Sequence, residues 1–96
     1  MEIKPKESPQ IEITTQEINN SELSSRVVLY NDDWHTFDEV INQLIKATKC
    51  GFEKARDYAF EVHVNGKAIV YNGSLRECLT VSSILEEIAL NTQIIT

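Results

Sequence analysis

The stretch Tyr30-Asn31-Asp32-Asp33-Trp34-His35-Thr36-Phe37 holds three short acceptor side chains in a row, with a histidine two residues beyond. A second histidine, His63, lies downstream. Such groups could hold a cation through an amide oxygen, one or two carboxylates and an imidazole. A metal site from Asp32, Asp33, His35 and His63 fits no standard spacing, and the stretch lacks the glycine of a calcium loop. Base chemistry from His63 with Asp32 would need a nucleophile, and none stands out. The plainer reading is a strand-to-helix turn, because Asn and Asp bond their own backbone. No catalytic residue, metal or cofactor is expected.

The elements around this row follow from its neighbours. Val27-Val28-Leu29-Tyr30 is β-branched and aromatic and predicts a strand. Thr36 followed by Glu39 is a capping box, opening a helix whose apolar positions are Phe37, Val40, Ile41, Leu44, Ile45 and Thr48. Lys46 and Lys49 suit its last turns, and Gly51 fits the position after its end. A second helix is expected over about 52–62, with Phe52, Ala55, Ala59 and Val62 on one stripe. Asn65-Gly66 marks a turn, 67–71 a strand and Asn72-Gly73 another turn. Ser74 and Glu77 form a second capping box. The helix they open offers Leu75, Leu79, Ile84, Leu85, Ile88 and Ala89 to the core, and 93–96 reads as a last strand. The order β-α-α-β-α-β predicts a small α+β sandwich: a three-stranded antiparallel sheet with helices on one face.

The 96 residues make one domain of modest size. Residues 1–25 hold both prolines and many polar residues, and read as a flexible N-terminal extension before a core domain over 26–96. Within it, the alternation over 11–14 could add a strand to a partner's edge. No run of residues is apolar enough to cross a membrane, and no apolar signal segment is present, so a cytoplasmic protein is expected. Cys50 and Cys78 then read as thiols rather than a disulfide. A net charge of −6 argues against nucleic acid as a partner.

In combination, strand, Asn31-Asp32-Asp33, the capped Phe37-Asp38-Glu39-Val40 and Val62-His63 ahead of Gly66-Lys67-Ala68 resemble the ClpS family over 26–96. The pattern from Tyr30 to Val40 resembles the branch found in Bacteroidetes-type bacteria. The resemblance implies a non-enzymatic N-end-rule adaptor. Such proteins bind N-degrons that begin with Leu, Phe, Tyr or Trp and deliver them to the N-terminal domain of a Clp AAA+ unfoldase. It implies that Asn31, Asp32 and His63 contact the substrate's α-amino group, with Asp33 and Thr36 supporting the turn. It also implies a hydrophobic pocket from Phe37, Val40, Ala59, Val62 and Ile94.

The chemistry is coherent. An α-amino group has a pKa near ~8 and is mostly ammonium at neutral pH. Three acceptors satisfy its three donors, and a carboxylate makes its bond charge-assisted. His63 accepts only when neutral. Acetylation should abolish binding, because buried acceptors would be left unpaired.

Four positions depart from the family's pattern, among them Thr36, where a Pro is common after the acidic turn. Phe37 and Ala59 stand where many members carry Met. The third helix also lacks the Lys that family members use to dock the unfoldase, so the docking surface is open. A monomer is expected. The alternative reading is a ClpS-fold interaction domain that binds a chaperone without recognising N-degrons. The distinguishing feature is whether Asn31, Asp32 and His63 converge on an open cavity or bond only one another.

Overall fold

A computed structural model describes residues 25–96. Of the expected extension over 1–25, residues 1–24, with the alternation at 11–14, lie outside the described residues, and Ser25 begins the first strand. Strand β1 spans Ser25–Tyr30, α1 Phe37–Thr48, α2 Phe52–Asn65, β2 Lys67–Gly73, α3 Leu75–Glu86 and β3 Asn91–Ile95. This is the expected α+β order. The three strands form one antiparallel sheet in the order β2-β1-β3. Alternation along β1 puts Val27 and Leu29 beneath the helices, both fully buried. They meet Ile41 and Leu44 of α1, Ala55, Ala59 and Val62 of α2, and Cys78, Val81 and Leu85 of α3 in one core.

Both capping boxes form. Thr36 Oγ1 accepts from the Glu39 amide at 3.1 Å, and Glu39 Oε1 accepts from the Thr36 amide at 2.8 Å. Ser74 and Glu77 repeat the exchange at 3.1 Å each. α1 is tied to the end of α3 by the side chain of Gln43, whose Nε2 donates to the Ile84 carbonyl at 2.6 Å. Lys46 adds an ion pair to Glu87 at 2.7 Å.

Four local expectations need correction. α1 ends on Lys49 in the left-handed region (φ 64°), while Gly51 starts α2 as its N-cap. α2 continues three residues past the expected end, because Gly66 at φ 87° supplies the left-handed cap there. On α3 the buried face is Cys78, Val81, Ser82 and Leu85, leaving Leu75 and Leu79 exposed. Beyond it, Ile88 is half-buried and Ala89, with φ 64°, is exposed; Leu90 enters the core instead. The last strand starts two residues earlier than expected, at Asn91. Cys50 and Cys78 are both free thiols. Among the described residues no helix is long and apolar enough to cross a membrane.

Candidate functional site

The polar row leaves the end of β1 beside the C-terminus of α2. The Asn31 amide donates to the Gly66 carbonyl at 2.9 Å, and the Gly66 amide donates to the Val62 carbonyl at 2.8 Å. These bonds bring the row to the helical turn that carries His63. The first turn of α1 closes the third side. The result is a cavity of about 420 Å³ lined by Asn31, Asp32, Asp33, His35, Thr36, Phe37, Val40, Ala59, Val62 and His63. That volume lies in the usual range of small-molecule pockets, roughly 300–1,000 Å³. The lining is polar along the row and at His63, and apolar at Phe37, Val40, Ala59 and Val62.

The structure brings nine of the ten expected site residues to this cavity. Ile94 is elsewhere. It sits on β3, paired with Val27, and packs half-buried against the core. The strand order explains this: α2 packs over β2, on the opposite edge of the sheet from β3. His63 is not beyond the second helix but in its last turn, and it is exposed.

The two aspartates differ in what occupies them. Asp32 Oδ1 accepts from the Trp34 amide at 3.1 Å and the His35 amide at 2.9 Å. Its Oδ2 accepts from His35 Nδ1 at 2.7 Å. Burial opposes ionisation of this carboxyl, but the His35 and Trp34 bonds outweigh it and hold its pKa below the ordinary 3.8. Asp32 therefore holds the turn through both of its carboxylate oxygens. Asp33 lines the cavity exposed, and its carboxylate makes no hydrogen bond among the described residues.

In the sequence, residue type suggests for His35 only a metal-ligand role. The structure gives it a different place. Its Nδ1 meets Asp32, and its Nε2 meets the Ile88 carbonyl at 2.5 Å. The bond to Asp32 raises the pKa of the ring above the ordinary 6.5, against the effect of burial. No sequence signal marks Ile88, because its backbone carbonyl makes the contact. Among the described residues, no group of three or more His, Cys, Asp or Glu side chains could hold a metal ion.

A family model described as "ATP-dependent Clp protease adaptor protein ClpS" matches residues 20–93. The chain belongs to the ClpS family. This is a family of adaptors, not of enzymes. A curated relative, the E3 ubiquitin-protein ligase UBR1 of Drosophila melanogaster, is 41% identical over 51 residues. That stretch covers 53% of this chain and 3% of the ligase. Among solved structures, Agrobacterium tumefaciens ClpS2 bound to L-phenylalaninamide superposes with a TM-score of 0.72 at 18% identity, over 77% of this chain and 96% of that one. At that identity the likeness speaks for the fold, and the ClpS fold is what the elements above build.

Proposed function

We propose that this ClpS-family chain is an N-end-rule adaptor whose cavity takes the first residue of an N-degron. The observation that carries the reading is one open cavity with both halves of the required chemistry. Asn31, Asp33 and His63 offer acceptors to a free α-ammonium group, and Phe37, Val40, Ala59 and Val62 offer an apolar recess to Leu, Phe, Tyr or Trp. Asp33 takes the charged contact, with Asp32 behind it shaping the turn. L-phenylalaninamide, the ligand of the Agrobacterium protein, has the two groups such a site would read: a free α-amine and an aromatic side chain. Full burial of a Leu or Phe side chain contributes roughly 1.5–3 kcal/mol.

The rival interaction-domain reading required the polar groups to satisfy one another. Instead Asp32 bonds His35 and the turn amides, and neither Asn31 nor His63. Cargo would pass to the N-terminal domain of a Clp AAA+ unfoldase. The third helix offers that partner exposed Leu75 and Leu79 around Arg76 in place of a lysine. We assign the chain to the cytoplasm, as a monomer. Its Tyr30–Val40 pattern supports the Bacteroidetes-type branch.

Fluorescence anisotropy with peptides that start with Phe, acetyl-Phe, Leu and Val tests the reading. Binding of Phe or Leu, lost on acetylation and weak for Val, is the expected result. Equal or absent binding across the set would overturn it.

A further inference from the structure

We propose that His35 is a positioning residue for the amine-binding row, a doubly protonated clasp that fixes the row against the α3–β3 connection. The inference rests on the amine-binding reading above. The geometry is the argument. A carboxylate and a backbone carbonyl only accept, so each ring nitrogen of His35 has to donate. Nδ1 donates to Asp32 Oδ2 at 2.7 Å and Nε2 to the Ile88 carbonyl at 2.5 Å. A neutral imidazole has one N–H and satisfies one of these acceptors; only the imidazolium satisfies both.

The surroundings favour the imidazolium. The charged groups acting on His35 are Asp32 from the turn and Glu39 from α1, both acidic, while the α3–β3 connection contributes the Ile88 carbonyl. The Trp34 ring lies 6.0 Å away, tilted by 37°. The side chain of His35 is only 11% exposed, so water does little to replace a lost bond.

The consequence for binding is mechanical. Asp32 holds the Trp34 and His35 amides on one oxygen and the clasp on the other. Asn31 and Asp33 flank it in the chain, so their placement depends on it. When His35 loses its proton, one end of the clasp opens and the row gains freedom just where an ammonium group must be met. The clasp is intact below the pKa of His35 and opens as pH rises through it.

The test uses the full chain, without and with peptide. NMR of the free protein follows the His35 ring nitrogens and the Asn31 and Asp33 amides from pH 5.5 to 9.5. Both ring nitrogens should carry protons at neutral pH, with a ring midpoint above 6.5. The two amides should titrate with that same midpoint in wild type and not in His35→Gln. Asp32→Asn, which keeps an oxygen for the turn, should lower the ring midpoint.

Peptide anisotropy gives the second readout. The ratio of the His35→Gln Kd to the wild-type Kd should be about fivefold below the ring midpoint and fall to about twofold above it, the scale of one modest hydrogen bond. Taking this ratio cancels the pH dependence that the two proteins share. A ring midpoint at or below 6.5, amides that do not follow the ring, or a ratio that stays flat with pH would each overturn the proposal. If wild type binds no free-amine peptide, the degron reading fails separately, and the ring and amide titrations alone decide the clasp. If His35→Gln does not fold, the wild-type and Asp32→Asn titrations decide it.

Discussion

A carboxylate offers about four hydrogen-bonding positions, and Asp32 already fills three of them. A substrate ammonium arriving at Asp32 would compete with donors already in place. Asp33 has no such competition among the described residues. Asp33→Asn should therefore weaken binding of a Phe-initiated peptide by at least about tenfold, the lower end for a bond to a charged group, with the melting temperature unchanged. Asp32→Asn should lower the melting temperature. Anisotropy and thermal melts on the two variants decide between the roles. Ala59 gives a second prediction. It is 3% exposed at the wall of the cavity, and Ala59→Leu should fill that wall and weaken Trp-initiated peptides more than Leu-initiated ones. The same anisotropy series reads this out, with melts to correct for overpacking of roughly 1–3 kcal/mol. The acceptor row and His63 stand out by residue type, whereas the amine-binding roles of Asn31, Asp32 and His63 and the lining of Phe37, Val40, Ala59, Val62 and Ile94 come from the family resemblance. Residue types do not say which of two adjacent aspartates receives the turn amides, because the backbone path through the turn decides it. Nor could they pair His35 with a carbonyl that lies 53 positions away.

The elements that hold the site are fixed at their starts by local chemistry. Thr36 and Glu39 cap α1 immediately after the row, so Thr36→Ala should cost about 1 kcal/mol of stability. A urea titration should show a lower midpoint with an unchanged slope, and peptide binding should weaken alongside. Capping boxes were legible because partners three residues apart meet in any helix. Helix ends and buried faces were less so. Lys49 took the left-handed position that glycine would favour, so residue type misplaced the boundary. On α3, Leu75 and Leu79 share helical spacing just as Cys78, Val81 and Leu85 do. Periodicity offers both stripes, and packing against β1 and α1 selects the second. Ile94 falls outside the cavity lining for a similar reason: inward direction along a strand is readable, but the edge of the sheet that the strand will occupy is not.

For the whole molecule, the Asp32–His35 pair sets a pH window of stability. His35 has a raised pKa, so its contribution is complete below the unfolded value of 6.5 and is lost as pH rises through the folded value. Asp32 has a lowered pKa, so its contribution is complete above the unfolded value of 3.8 and is lost as pH falls through the folded one. Urea melts of wild type and His35→Gln should differ most between these limits and converge as pH rises through the folded His35 value. The fold class itself was legible, since the order of elements and two strong turn signals leave few arrangements open. The placement of β1 at the centre of the sheet was not, because it depends on β3 returning beside β1 rather than β2.

The bond from the Asn31 amide to the Gly66 carbonyl carries a further meaning. It joins a strand end to the last turn of a helix, and helix termini are where proteins open most readily. Molecules with that turn frayed keep most of their core but lose the alignment of the row with His63. The apparent affinity for cargo then scales with the fraction of molecules in which the turn is closed. A copy beginning to melt would let go of its degron before it lost its shape, so this adaptor falls silent before it fails.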